Sequence, residues 1–176
     1  FYYQVIATNA EGESSASDEV SATTWTASES WRNQYFGQTE NSGAAADNYD
    51  YDGDGAVNML ERAFGTVPTD PSSLAIPASS MVESDSKDYL SITYRRLIGG
   101  SGTTGVDYTV DGLTYTVEYD TDLADPWSSG TVVQVGSASD NNDGTETVTL
   151  RLSDEVGAET KQFIRIKVSS PQAGGV

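Results

Sequence analysis

The chain of 176 residues is 36% apolar and carries 27 acids against 9 bases, a net charge of −18, with neither cysteine nor histidine. Such a surface repels nucleic acid and anionic lipid, whose binding draws on Lys and Arg, and it attracts cations. Missing cysteine excludes disulfides and thiolate metal sites, and no apolar run approaches the roughly 18 residues of a membrane span.

The length allows one large domain or two small ones with a connector. The abundance of Gly, Ser, Thr and Asp suits a mainly β, loop-rich protein. FYYQVIAT at the start reads directly as a strand, as within a longer polypeptide, with Tyr3, Val5 and Ala7 alternating with Gln4, Ile6 and Thr8. NAEGES supplies a turn and EVSATT the return strand, closing a unit at residues 1–24. A lone hairpin is marginal in water, so strands from upstream or from another chain are expected to cover it. Residues 25–40 read as a short helix, N-capped by Ser28 or Ser30 and ended by Gly37, with Trp31, Tyr35 and Phe36 on a packing face.

NSGAAADN (41–48) reads as a flexible loop, and after an acidic stretch NMLERAF forms a second helix ended by Gly65. Together residues 25–65 make a helix–loop–helix connector. The Pro/Ser-rich residues 66–80 read as a linker and domain boundary. Residues 81–170 read as an antiparallel β-sandwich of five or six strands. Its alternating runs are Leu90/Ile92/Tyr94, Leu113/Tyr115/Val117/Tyr119, Val148/Leu150/Leu152 and Ile164/Ile166/Val168. Val133 and Val135 mark one more strand, DNNDGTE is a hairpin turn, and residues 171–176 are a loose tail.

The acidic stretch DYDGDGAVNMLE carries the chemistry. Calcium takes six to eight oxygens, and a loop of the pattern D-x-[DN]-x-[DN]-G-x₅-E offers them from positions 1, 3, 5, 7, 9 and 12. Counting from Asp50, the side-chain ligands are Asp50, Asp52, Asp54, Asn58 and Glu61, with Ala56 giving its carbonyl and Gly55 turning the chain. Four carboxylates so close repel one another without a cation. Magnesium fits less well, since so many protein oxygens leave little room for its retained waters. For an extracellular calcium module the expected dissociation constant is ~0.1–1 mM, and ion at 100 times that value adds about 2.7 kcal/mol to the folded state.

Three resemblances follow from these motifs. Tyr3, Val5, Ala7, Asn9 and Gly12, then Val20, Ala22 and Thr23, resemble the last two strands of fibronectin type III domains. Phe1 stands where that family carries its corner tyrosine and lacks the hydroxyl. The calcium half-site is similar to the loops of dockerins and thrombospondin type 3 repeats. Its single copy departs from the paired copies of dockerins and argues against cohesin binding. The order of parts over residues 25–170, with DGDGAVNMLERAFG before a β domain holding Tyr115, Val117, Glu118, Asp122, Leu123 and Trp127, resembles C-terminal regions of large secreted proteins of Verrucomicrobia and Planctomycetes. In that pattern Thr121 replaces the usual serine. The resemblance implies a secreted bacterial protein, extracellular or at the cell surface, whose C-terminal region is a non-catalytic appendage for attachment, spacing or assembly.

Without His or Cys the familiar nucleophile–base pairs are unavailable, and the obvious carboxylate cluster belongs to the calcium loop, so no enzyme is expected. Asp107, Asp111, Asp120, Asp122 and Asp125 lie in or beside turns, where Asp bonds its own backbone. Two module functions compete. One is calcium-stabilised structure and assembly, filament-type if a neighbouring subunit completes the N-terminal strands. The other is carbohydrate binding, as an accessory module of a polysaccharide-degrading enzyme, with Tyr89, Tyr108, Tyr119 and Trp127 as candidate sugar contacts. Neither reading involves nucleic acid or membrane insertion.

Overall fold

The computed structural model describes residues 1–124, 126–157 and 161–171. The N-terminal segment is a single long hairpin. Strand β1 (Tyr2–Tyr3) pairs with β4 (Val20–Ser21), and β2 (Thr8–Asn9) pairs with β3 (Gly12–Glu13) at the tip. Between the two ladders serine hydroxyls replace strand partners: Ser17 Oγ accepts from Val5 N and Ser14 Oγ from Ala7 N. Every residue from 1 to 27 is exposed.

Helix α1 (Ala27–Phe36) begins one turn earlier than serine capping would place it. Thr26 is the N-cap, in a capping box with Glu29, and neither Ser28 nor Ser30 takes that role. T-A-S-E satisfies two orphan amides reciprocally, which a lone serine does not. Gly37 closes the helix in the left-handed region at φ 68°. The segment expected as a flexible loop is instead tied down. It contains a 3₁₀ turn, Gly43–Ala45, with Ala45 fully buried and Asp47 bonded to Asn41. Helix α2 (Asn58–Phe64) follows the acidic loop and ends at Gly65, also left-handed.

Beyond α2 lie two antiparallel sheets. In the first, β10 (Val132–Gln134), β12 (Thr145–Glu155), β6 (Lys87–Leu97) and β5 (Ala78–Ser84) lie in that order, with β11 (Ser139–Asp140) also on β12. In the second, β13 (Phe163–Ser169), β8 (Leu113–Asp120) and β7 (Tyr108–Val110) run in that order, with β9 (Ser128–Ser129) also on β8. The fold is therefore mixed, with several antiparallel sheets and two helices.

The inward residues of both sheets meet in one apolar cluster: Ile92 and Tyr94 of β6, Leu113, Tyr115 and Val117 of β8, and Val148 and Leu150 of β12. Ala63 and Phe64 of α2 belong to the same cluster. The Tyr115 hydroxyl donates to the Ala63 carbonyl at 2.7 Å, and Arg62 Nη1 donates to the Asp111 carbonyl at 3.1 Å. Helix α2 is thus a wall of the core as well as the end of the acidic loop. In the segment expected as a linker, Thr66 and Pro68 are buried and Ala75 packs against the cluster.

Strand β5 begins inside that segment, at Ala78, and joins β6 through a two-residue turn with Asp85 and Ser86 both left-handed. In TVVQVG it is Val132 that packs on the core, while Val133 is exposed. Of the expected tail, residues 172–176 lie outside the described residues, as does Asp125.

Candidate metal centre

The acidic loop hangs between two anchored ends. Before it, Asn58 N donates to the Tyr49 carbonyl at 2.8 Å and Met59 N to the Asp47 carbonyl at 3.0 Å, so the start of α2 is stitched to residues 47–49. The loop then folds by bonding its own amides. Gly53 N and Gly55 N donate to the two oxygens of Asp50, Asp54 N to Asp52 Oδ1, and Ala56 N to Asp54 Oδ1. Gly55 sits at φ 98°, a conformation that side-chain-bearing residues rarely adopt.

Both oxygens of Asp50 accept loop amides, whereas Asp52 and Asp54 each use one oxygen in this way and keep the other without a donor. Asp50, Asp52 and Asp54 bring carboxylate oxygens within 4.8 Å of one another, close enough to hold one metal ion. Glu61 lies outside that 4.8 Å group, but the same motif holds a set of buried oxygens with no hydrogen-bond donor: Asp52 Oδ2, Asp54 Oδ2, Asn58 Oδ1 and both oxygens of Glu61. Asn58 and Glu61 are wholly withdrawn from solvent. The Asn58 amide is oriented by its nitrogen, which donates to the Ala44 and Ala46 carbonyls at 2.9 and 2.8 Å, leaving the oxygen free.

Unpaired buried acceptors each cost about 1–3 kcal/mol, more when charged. Five of them in one motif, all acceptors, form a donor set fit for a hard cation. The electrostatics agree. Burial, followed by the negative charges of Asp52, Asp54 and Asp50, pushes the Glu61 carboxyl up to about 7, with the nearby Thr66 hydroxyl pulling weakly the other way.

A pH dependence follows from that shift. Glu61 has a folded-state value above its ordinary 4.5, so its contribution to ion-free stability is complete below about pH 4.5 and is lost as pH rises through 7. A cation needs the ionised form and must displace the proton below pH 7. The rise in melting temperature on adding saturating calcium is therefore expected to be larger at pH 8 than at pH 5.5. Equal rises at both values would contradict it.

No protein-family model, curated protein or solved structure matches this chain. The chemistry of the site rests on its own atoms.

The four aromatics considered for sugar contact do not form a platform. Tyr108 is buried in the core, its hydroxyl donating to the Leu97 carbonyl and accepting from Gly100 N, with Arg96 stacked 3.6 Å from its ring centre. Tyr89 is buried under Arg151 at 3.9 Å. Both are corrected from exposed to buried: Tyr108 joins the core cluster from β7, whereas Tyr89 lies on the face of β6 opposite Ile92 and Tyr94 and is covered by the Arg151 guanidinium. Tyr119 and Trp127 are half-buried, and each has a ring face occupied, by Gly130 and by Arg165 respectively.

Two features of the site escaped sequence reasoning. Arg32 of α1, 6% exposed, donates from Nη2 to Asp47 Oδ1 at 2.9 Å and from Nη1 to the Thr39 carbonyl at 3.3 Å. Phe36 meets the ring of Tyr51, inside the loop, edge-on at 5.3 Å. The only sequence signal for either was an arginine within an aromatic-rich helix.

Proposed function

We propose that this chain is a calcium-stabilised, non-catalytic extracellular module whose role is structural. The observation that carries the reading is the set of unpartnered buried oxygens on Asp52, Asp54, Asn58 and Glu61. Adding Asp50 and the Ala56 carbonyl gives seven oxygens in all, a number suited to calcium and too many for magnesium with its retained waters. The two sheets that share one core are read as a β-sandwich, and the N-terminal hairpin as part of a fibronectin type III fold.

The non-catalytic reading is supported by how the other buried ionisable groups are used. Glu118 is held below the usual carboxylate range, against its burial, by bonds from Arg165 and Lys167. Arg96 is paired with Glu146 at 2.7 Å. Both are paired with a neighbouring strand, Glu118 of β8 with β13 and Arg96 of β6 with β12.

The same reading assigns assembly to the hairpin. Its apolar side chains are open to solvent, with Phe1 75%, Tyr2 74%, Val5 71% and Val20 65% exposed. A two-stranded ribbon of this kind gains most by taking a further strand on an edge or a second sheet on its face. A neighbouring subunit is the proposed donor, and the contact is heterologous, so it propagates unless it closes. Light scattering at rising protein concentration with calcium is expected to report growth beyond the monomer. A monomer at every concentration would overturn the assembly role while leaving the calcium role standing.

A further inference from the structure

Helix α1 contributes nothing to the D-x-D-x-D-G pattern, yet Phe36 touches the loop and Arg32 holds the segment just before it. Arg32 and Phe36 stand four residues apart, on one face of the helix. Phe36 packs on Tyr51, between the Asp50 and Asp52 carboxylates in sequence. Arg32 bonds Asp47, and Asp47 is a junction. Its second oxygen and its amide are held by Asn41 at 3.1 and 2.7 Å, and its carbonyl accepts from Met59 N, beside Asn58. The Asn58 side chain in turn holds the Ala44 and Ala46 carbonyls, on the other side of Asp47.

Residues 44–49 are thereby clamped between α1 and the first turn of α2. They set the distance between the beginning of the loop at Asp50 and its closing side chains, Asn58 and Glu61. We infer that Arg32 and Asp47 are positioning residues of the cation site, so that ion occupancy and the docking of α1 are thermodynamically coupled. The inference rests on the calcium reading of the site. Coupling is reciprocal: an ion that tightens α1 is itself held more tightly by a docked α1.

The test separates positioning from charge. If charge alone acted, Arg32→Met would tighten calcium by removing a nearby cation, and Asp47→Asn would weaken it by removing an anion. Positioning weakens both. Calcium affinity is measured by calorimetric titration, with the ion-free melting temperature beside it, for the wild-type chain, Arg32→Met, Arg32→Lys, Asp47→Asn and the double variant. Both single variants are expected to bind calcium about tenfold more weakly, in the range found for residues that orient metal ligands. The double variant is expected to be no worse than either, and Arg32→Lys to recover part of the loss.

Opposite signs for the two single variants would overturn the inference. So would an unchanged calcium affinity accompanied by a lower ion-free melting temperature, the mark of a merely structural pair. Asp47→Asn is nearly isosteric and keeps its backbone bonds, so it guards against a folding failure of Arg32→Met. A wild-type chain without any calcium response would remove the calcium reading itself, a result distinct from either.

Discussion

Glu61→Gln is expected to raise the melting temperature of the ion-free protein and to abolish its response to calcium. The two effects have one cause. In the ion-free chain Glu61 is fully buried, neither of its oxygens has a donor, and the charges of Asp52, Asp54 and Asp50 bear on it. Above pH 7 its ionised form costs the folded state on the order of 2 kcal/mol, the free energy of a shift from 4.5 to about 7 reduced for solvent screening. For a chain of this size that corresponds to roughly 4–8 °C.

Glutamine keeps the volume and removes the charge, so the penalty disappears. On the proposed calcium reading it also removes the ligand expected to bind through both oxygens, and loss of calcium affinity by about 100-fold or more is expected, beyond the effect of altering an outer-shell partner. Differential scanning calorimetry with calcium and with chelator measures both effects. A variant that melts lower than wild type without ion, yet still gains with calcium, would contradict this assignment of Glu61.

Tyr115→Ala is expected to produce the largest loss of stability of any single change in the core. The side chain is fully buried, its ring lies 6.5 Å from that of Tyr94 and meets Tyr108 edge-on at 6.0 Å. Its hydroxyl is the bond that ties β8 to the carbonyl of Ala63 in α2. Truncating a buried aromatic to alanine costs about 3–5 kcal/mol. Tyr115→Phe separates the two contributions: it keeps the ring and leaves a buried carbonyl short of its donor, for about 1–3 kcal/mol. Chemical denaturation of both variants measures the difference. Equal losses would mean that the hydroxyl link to α2 contributes all of the stability and the ring packing none.

The acidic loop was legible because its carboxylates and turn glycines are local in sequence, so spacing alone gathers Asp50, Asp52 and Asp54. Strands β6, β8, β12 and β13 were legible for the same reason, each carrying its own alternation of apolar residues. Strand β5 was not, because ASSMVES has little apolar content and takes its place from pairing with β6. The facing of Tyr89 and Tyr108 was not legible either, since a tyrosine suits both a surface and a core with a partner for its hydroxyl.

The Arg32–Asp47 pair spans fifteen positions and belongs to no local pattern. It depends on where α1 lands, which is decided by packing. The cap of α1 was within reach of sequence, since T-A-S-E is a capping-box pattern. These differences share a cause: local chemistry is written in spacing, and long-range partners are chosen by the fold.

The central claim is that the loop at Asp50–Glu61 is a calcium site of seven oxygens, five of them buried without a hydrogen-bond donor until the ion binds. Calorimetric titration of the chain with calcium, repeated with magnesium, tests it most directly. One calcium per chain with a dissociation constant of ~0.1–1 mM, and much weaker binding of magnesium, is the predicted result. No heat of calcium binding, or equal affinity for the two ions, would contradict it.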